Sequence, residues 1–256
     1  MADDLILEDL RAGYGAREVL RGVSLTAHAG EVTALLGLNG SGKTTLLRAV
    51  LGAVPASGRV LLGKTNLLAL GARQRALRVS FIPQRSRADG GLTALEAVLM
   101  GANAETPLLL GYGAARRARA MACLERLGAG KWADVPLGEL SEGQRRTVIL
   151  ARALMQRAQA CLLDEPDGAL DLPRRRDALE AARSMARTEG CAVLCAMHDA
   201  SLALTLCDRV LALSGGRIAW ALDMRTATAQ EIEAAMRALY GDAEVLRGER
   251  GWAVLC

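Results

Sequence analysis

The feature that most constrains the fold of this chain is a glycine-rich turn between an apolar run and a helical pattern. Residues 37–44 read GLNGSGKT, so that glycines precede Lys43 and Thr44 at a fixed spacing. Residues 32–36 (VTALL) are β-branched and apolar, as expected of a buried parallel strand, and residues 45–51 read as the following helix. The pattern predicts a strand, a turn and a helix whose N-terminus faces an anion.

This turn, here called the P-loop (residues 37–44), has the chemistry of a triphosphate site. Glycines let several backbone N–H groups point inward, Lys43 adds a positive charge for the β- and γ-phosphates, and the Thr44 hydroxyl can ligate Mg²⁺. An ordinary glycine-rich turn with a chance lysine is disfavoured by the strand before it and the helix after it. The residues expected to contact ATP here are Asn39, Gly40, Ser41, Gly42, Lys43, Thr44 and Thr45.

A pair of acidic residues ends a second apolar run. Residues 161–163 (CLL) precede Asp164 and Glu165, which puts both carboxylates at the carboxyl edge of a sheet, where α/β folds bind ligands. Asp164 is the expected Mg²⁺ partner of Thr44. Glu165 is expected to point to the other side of the strand, where it can orient the attacking water and accept its proton. A solvated turn that begins at Pro166 is the alternative.

A third motif, here called the signature turn (residues 140–144, LSEGQ), reads as a helix start. Ser141 and Gln144 have the spacing of a capping box ahead of an amphipathic helix predicted at residues 146–156. The spare N–H groups of such a helix form an anion site that is aimed outward. Taken alone, the motif would favour an ordinary helix start over an anion site.

In this order, the motifs resemble those of the ATPase subunits of ABC transporters, and the resemblance extends over essentially the whole chain. It implies a P-loop NTPase fold of the ABC type: α/β, with a parallel-sheet core, a flanking antiparallel β-sheet and an inserted helical subdomain. It also implies that Ser141, Gly143 and Gln144 face the γ-phosphate held by the P-loop of a second copy, so that ATP joins two subunits.

The resemblance implies roles for four further residues. Tyr14 matches the aromatic residue that stacks on adenine, and Gln84 matches the glutamine that contacts Mg²⁺ or water. Asp171 matches the D-loop aspartate, and His198 matches the histidine that contacts the γ-phosphate. The expected catalytic residues are thus Lys43, Gln84, Glu165 and His198. The expected metal ligands are Thr44, Gln84 and Asp164.

The chain departs from the family pattern in three places. Leu38 stands where proline is usual, Glu142 replaces the middle glycine of the signature turn, and Asp167-Gly168 replaces Thr-Ser or Thr-Asn. None of these changes removes a group that bears chemistry. We expect the Glu142 carboxylate to point away from the nucleotide.

Composition limits the remaining classes of protein. No apolar run approaches the roughly 18–20 residues of a membrane span, and no secretory signal opens the chain, so we expect a peripheral protein on the cytoplasmic face of the inner membrane. Six cysteines without C-x-x-C or zinc spacing indicate a reducing compartment. A net charge of +4 gives no argument for nucleic-acid binding.

We expect one nucleotide-binding domain over residues 1–256. Clustered arginines at 116, 117 and 119 predict a solvated helix face, with contact to lipid headgroups as the alternative. The tail is expected to hold a helix at 229–239 and a hairpin that pairs 243–246 with 252–255. The expected parts are an antiparallel sheet (1–30 and about 58–70), an inserted helical subdomain (about 85–157), a strand–helix alternation (158–220) and the tail (221–256).

Residues 92–101 (LTALEAVLMG), 109–113 (LLGYG) and 239–241 resemble the ATPases of iron-chelate and cobalamin importers. The resemblance implies a homodimer below two permease subunits, fed by a substrate-binding protein, with a siderophore, haem or cobalamin as cargo. The alternatives are an ABC importer for another cargo, an exporter, and a soluble ABC ATPase of DNA repair or translation. A catalytically silent subunit is disfavoured because the ATP motifs are complete.

Overall fold

The computed structural model describes residues 3–84, 91–103, 112–165, 172–249 and 251–255. The strands in these ranges are β1 (Leu5–Tyr14), β2 (Arg17–Ala27), β3 (Val32–Leu36), β4 (Ala56–Leu62), β5 (Thr65–Asn66), β6 (Val79–Ile82), β7 (Ala160–Asp164), β8 (Ala192–Ala196), β9 (Arg209–Ser214), β10 (Arg217–Asp223), β11 (Glu244–Gly248) and β12 (Gly251–Leu255). The α-helices are α1 (Lys43–Val50), α2 (Ala72–Ala76), α3 (Ala94–Leu99), α4 (Ala114–Arg126), α5 (Glu142–Gln156), α6 (Leu172–Glu189), α7 (Ala200–Leu206) and α8 (Ala229–Tyr240).

The centre of the fold is a six-stranded sheet in the order β10-β9-β3-β8-β7-β6. All neighbours in it pair in parallel except β10, which pairs antiparallel with β9. Every residue of β3, β7 and β8 is buried, which explains why these strands read as continuous apolar runs without alternation. The predicted parallel-sheet core is confirmed.

Side chains of the central strands alternate between two hydrophobic cores. Leu35 of β3, Leu162 of β7 and Leu194 of β8 face α1 and the strands of a second sheet. The residues immediately before and after each of these leucines pack on the opposite face, against α3, α5 and α6. The sheet is therefore covered on both faces, as a parallel sheet requires.

The second sheet is antiparallel, with the order β2-β1-β4-β5. It is the flanking antiparallel sheet that the sequence predicts. Tyr14 pairs with Arg17 at the end of the β1–β2 hairpin, and Gly15 closes the turn with a φ of 58°. The hairpin tip thus carries Tyr14 toward the P-loop side of the molecule.

Helices α3, α4 and α5 pack against one another beside the parallel sheet. Gly101 lies so close to α5 that a Cβ there would stand 2.4 Å from the Arg152 carbonyl oxygen, so only glycine fits.

Arg119 of α4 donates from Nη2 to the Met155 carbonyl of α5 at 3.0 Å. The prediction of a solvated face is wrong for Arg119, because its guanidinium satisfies a carbonyl at the C-terminal end of a neighbouring helix. Residues 109–111 of the importer-like segment lie outside the described residues.

The tail forms α8 and the hairpin β11–β12, in which Val245 lies opposite Val254. The helix extends one residue beyond the predicted 229–239. The hairpin packs on α7: the Trp252 N–H donates to Thr205 Oγ1 and the Val254 N–H donates to Ser201 Oγ, both at 2.9 Å. Within the part of the chain that the structure describes, no helix is both long enough and apolar enough to cross a membrane.

Candidate functional site

The candidate site lies at the carboxyl edge of four neighbouring parallel strands. β3 leads into the P-loop, β8 ends two residues before His198, β7 ends at Asp164, and β6 ends two residues before Gln84. Because these strands lie side by side in the order β3-β8-β7-β6, the residues that follow them meet at one edge. The structure therefore brings together side chains that are far apart in the sequence.

The P-loop curls around an opening at the start of α1. Gly40 and Gly42 have φ angles of 79° and 109°, where side chains are strained. Lys43 is 6% exposed, and its Nζ donates to the Gly37 carbonyl at 2.6 Å, so the ammonium folds back over the turn. The Ser41 hydroxyl is buried and has no hydrogen-bond partner among the described residues. Such an unsatisfied polar atom in a glycine-rich turn at the start of a helix fits an anionic ligand.

Asp164 faces the first turn of α1. The Thr44 hydroxyl donates to Asp164 Oδ1 at 3.1 Å. Asp164 is 7% exposed, and burial raises the pKa of its carboxyl above the ordinary value, although the Thr44 hydrogen bond opposes that shift. The charge of the adjacent Glu165 raises the pKa further. A hydroxyl and a carboxylate at this separation are the hard oxygen donors that suit Mg²⁺.

Glu165 has a backbone conformation that residues other than glycine rarely adopt. Its φ is 49°, and a left-handed conformation costs an L-residue roughly 1–2 kcal/mol. Hydrogen bonds fix it on both sides: its N–H donates to the Ala196 carbonyl at 2.9 Å, and its own carbonyl accepts from Arg146 Nη2 at 2.6 Å. Its carboxylate contacts both Gln84 and His198.

The Glu165 carboxylate lies between an amide and an imidazole. Its Oε2 accepts a hydrogen bond from Gln84 Nε2, and its Oε1 contacts His198 Nε2. Asp199 caps α7 by accepting from the Leu202 N–H at 2.9 Å, which fixes the chain directly after the histidine. A carboxylate held in this way can accept a proton, while the imidazole can donate or accept one.

An open cleft of about 340 Å³ extends from the P-loop and Glu165 to Tyr14. Tyr14 is 48% exposed, and its hydroxyl lies 3.5 Å from Arg48 Nη1. The hydrogen bond from Arg48 lowers the pKa of Tyr14. An exposed aromatic ring on the wall of a cleft is available for stacking on a planar ligand.

The signature turn lies outside this cleft. Ser141 is the N-cap of α5, and the Gln144 side chain accepts from the Ser141 N–H at 2.8 Å, which confirms the capping box. The helix begins at Glu142 rather than at residue 146, because the box itself forms the first helical turn. Gly143 and Gln144 line a separate cavity between α5 and α6. The Glu142 side chain is exposed. Asp171 lies outside the described residues.

Motif-based reasoning misses three residues at the site. Arg17 and Val19 of β2 line the same cleft as Tyr14. No local pattern marks them, because they reach the P-loop only through the pairing of β1 with β2. Arg146, which bonds to the Glu165 carbonyl, interrupts the apolar face of α5. One sequence signal could have identified Arg146. It is an arginine close to the signature turn, at a helix position where the pattern predicts a buried apolar residue.

Comparison with known proteins agrees with this arrangement. The profile of the ABC transporter family matches residues 20–168. The hemin import ATP-binding protein of Jannaschia sp. (strain CCS1) is 36% identical over 83% of this chain and 79% of its own. The phosphonates import ATP-binding protein of Frankia casuarinae is 41% identical over 82% of this chain and 87% of its own. A solved dimeric bacterial ABC transporter cassette is 26% identical, with a TM-score of 0.74 over 87% of this chain and 100% of its own.

The profile match and the geometry concern the same residues. The matched region contains the P-loop, Gln84, the signature turn and both carboxylates at the end of β7. The two relatives extend the likeness to more than four-fifths of the chain. This chain therefore belongs to the ABC transporter family and is one of its ATP-binding cassettes, an ATPase that powers transport.

Proposed function

We propose that this chain is the ATPase subunit of an ABC importer whose cargo is a metal chelate: a siderophore, haem or cobalamin. The proposed ATPase activity is supported by the position of the Glu165 carboxylate, which lies between Gln84 and His198 and follows directly after the Thr44–Asp164 pair. The import relatives support the direction of transport, and the hemin relative supports the cargo class.

In the proposed complex, ATP lies in the cleft with its adenine on Tyr14 and its phosphates within the P-loop. The N-terminus of α1 and the Lys43 ammonium offset the phosphate charge. Lys43 exchanges its bond to the Gly37 carbonyl for a phosphate oxygen. The other residues that line the phosphates are Asn39, Gly40, Ser41, Gly42, Thr44 and Thr45.

We further propose that Thr44, Asp164 and Gln84 hold Mg²⁺. The oxygen donors of the Thr44–Asp164 pair support this assignment. When bound, the ion neutralises charge on the β- and γ-phosphates.

Glu165 is the proposed general base. It orients a water toward the γ-phosphorus and accepts the water proton, while the bond from that phosphorus to the bridging oxygen breaks to give ADP and phosphate. His198 keeps the Glu165 carboxylate in position and contacts the γ-phosphate. The contacts of Glu165 with Gln84 and His198 support this division of roles.

We infer a homodimer in which Ser141, Gly143 and Gln144 of one copy close the site of the other. The P-loop and the signature turn line different cavities of one chain, and the dimeric cassette has the same fold, which together support this inference. The N-terminus of α5 supplies N–H donors for the γ-phosphate of the second copy. Asp171 is proposed to belong to the same contact.

The dimer would bind two permease subunits at the cytoplasmic face of the cell membrane, and a substrate-binding protein would deliver the cargo. The names of the import relatives support these partners. Residues 1–256 form one nucleotide-binding domain in this proposal, with 85–157 as the helical subdomain and 221–256 as the tail.

The second candidate is an importer of phosphonate-type cargo. It is favoured by the relative from Frankia casuarinae, whose identity to this chain, 41%, exceeds the 36% of the hemin relative. Identification of the permease would distinguish the two cargoes. The ATPase residues described above cannot do so, because their proposed contacts are with ATP and with protein and not with the cargo.

The test is affinity capture of the Glu165→Gln variant, with ATP, from detergent-solubilised native membranes, followed by identification of the partners by mass. We expect a polytopic permease of the chelate class. After reconstitution, hemin-loaded binding protein should accelerate ATP turnover by the wild-type complex and phosphonate-loaded protein should not. Recovery of soluble partners or nucleic acid alone would contradict the transport proposal, and the reverse cargo response would establish the second candidate.

A further inference from the structure

Arg146 is a buried cation with no role in the proposed reaction as described so far. It lies on α5 and is only 8% exposed, next to the buried side chains of Val148 and Ile149. Burying a guanidinium is unfavourable unless its N–H groups find acceptors. One of those acceptors is the Glu165 carbonyl, at 2.6 Å from Arg146 Nη2.

The bond from Arg146 acts on the backbone of the proposed general base. Two peptide planes flank the Cα of Glu165. One is held by the bond from the Glu165 N–H to the Ala196 carbonyl of β8, and the other by the bond from Arg146. Because Glu165 has a φ of 49°, its backbone depends on such restraints to stay in this conformation. The direction of the Glu165 carboxylate therefore depends on Arg146.

Arg146 also belongs to the signature end of α5. Gly143 and Arg146 are three positions apart, so they share one face of the helix, and both line the cavity between α5 and α6. Both lie in the first two turns of one continuous helix that begins at the Ser141 cap. A displacement of the signature turn therefore moves Arg146 with it.

We propose that Arg146 is a positioning residue that couples the two ATP sites of the dimer. This inference rests on the proposed function. The signature turn of a chain serves the nucleotide on the second copy, whereas Glu165 serves the nucleotide on its own P-loop. When the signature turn engages the second copy's ATP, Arg146 carries that displacement to the Glu165 carbonyl and aligns the carboxylate for its own water.

The experiment measures steady-state ATP turnover against ATP concentration for Arg146→Met, together with the Kd for ATP. We expect kcat to fall about 10- to 100-fold, the size of loss expected when a catalytic group is displaced by about 1 Å. The Kd should change less than about twofold, since the P-loop is untouched, and the Hill coefficient should fall toward one. Arg146→Lys, which keeps one donor, should recover part of both kcat and cooperativity.

Arg119→Met is the matched control. It removes another guanidinium-to-carbonyl bond to α5, the one at 3.0 Å to Met155, but at the far end of the helix from Glu165. We expect its kcat and Hill coefficient to stay near those of the wild type. Equal losses in Arg119→Met and Arg146→Met would overturn the inference, because both would then report a general loss of helix packing.

A double-mutant cycle separates action through Glu165 from other effects. In a Glu165→Gln background, Arg146→Met should lower the residual turnover little further, because the base that it positions is gone. Equal effects in both backgrounds, or wild-type kcat and cooperativity in Arg146→Met, would refute the coupling. If melting curves show that Arg146→Met is unfolded, Arg146→Lys carries the same comparison. Absence of ATP binding and turnover in the wild-type chain would instead refute the proposed function.

Discussion

At the residue scale, two adjacent carboxylates have different environments. Asp164 is buried against Thr44, and that burial raises the pKa of its carboxyl. Glu165 turns into the cleft through a left-handed backbone and contacts an amide and an imidazole. One carboxylate is thus suited to a metal and the other to a water, although they are neighbours in the sequence.

Lys43→Ala should abolish productive ATP binding. The lysine is the cation within the P-loop, and its removal takes away the side-chain charge that offsets the phosphates. We expect the Kd for ATP to rise at least about 100-fold, which corresponds to roughly 2.7 kcal/mol. Titration with a fluorescent ATP analogue would measure it. Arg73→Ala, a surface cation on α2, should leave the Kd unchanged.

Glu165→Gln should bind ATP, dimerise and stall. The amide keeps the size of the side chain but cannot accept the water proton, so kcat should fall about 10²- to 10⁴-fold. Turnover and ATP-dependent elution as a dimer in size-exclusion chromatography would be measured together. Glu180→Gln makes the same change on the exposed face of α6 and should behave as wild type. Wild-type kcat in Glu165→Gln would show that another group is the base.

Asp164→Asn should stabilise the nucleotide-free protein while it abolishes turnover. The pKa of Asp164 in the folded chain lies above its ordinary value of 3.8, so the folded chain holds the proton more tightly than the unfolded chain does. The folded chain therefore loses stability as the pH rises from 3.8 through the raised pKa. Asparagine removes the buried charge, and the melting temperature should therefore rise at neutral pH. The gain should shrink on acidification toward the ordinary value. An unchanged or lower melting temperature at neutral pH would contradict the argument.

The sequence predicts Lys43, Thr44 and Asp164 because each stands in a motif beside a buried strand. It does not predict Arg146, because the partner of that arginine is a carbonyl nineteen positions away, which only the tertiary fold brings close. Local motifs identify the groups that touch ligand. The groups that hold those residues in position depend on tertiary contacts.

At the element scale, strand order determines which residues meet. The apolar runs of β3, β7 and β8 are visible in the sequence because both faces of the sheet are covered. Their order is not visible, since β3 pairs with β8 and β9 across more than half of the chain. The same limit applies to Arg17 and Val19, which reach the cleft through the β1–β2 hairpin.

Ser141→Ala should weaken both the start of α5 and the ATP-bound dimer. Loss of the cap should reduce the free energy of unfolding by about 1 kcal/mol. ATP-dependent dimerisation and turnover should also fall, while ATP binding to the monomer stays intact. The control is Thr228→Ala, which removes the same kind of capping box from α8. Equal losses of turnover in the two variants would argue that Ser141 acts only through helix stability.

At the scale of the whole molecule, the tail is attached to the part of the fold that carries His198. The β11–β12 hairpin bonds to Ser201 and Thr205 of α7, and that helix starts two residues after the histidine. The sequence predicts the hairpin itself from two short segments that flank the glycines at 248 and 251. It does not predict the site of attachment, because single hydroxyls on α7 carry no pattern.

Thr205→Val should loosen the hairpin without touching the ATP cleft. The variant keeps the shape of the side chain but leaves the Trp252 N–H without its acceptor. The free energy of unfolding should fall by about 1–3 kcal/mol. Hydrogen exchange at Trp252 should accelerate, whereas exchange in β3 should not. Ser184→Ala, on the exposed surface of α6, is the control. Unchanged exchange at Trp252 would show that packing alone holds the hairpin.

The position of β3 in the sheet also bears on how the chain is made. Val32 pairs with Val193 and Thr33 pairs with Arg209, so both neighbours of the strand that leads into the P-loop are synthesised long after it. At about 5–20 residues per second, a ribosome needs roughly 8–30 s to travel from β3 to β8. Throughout this interval β3 lacks both of the strands that flank it in the finished sheet. We therefore expect ATP to stabilise the growing chain only after β8 and β9 have been synthesised.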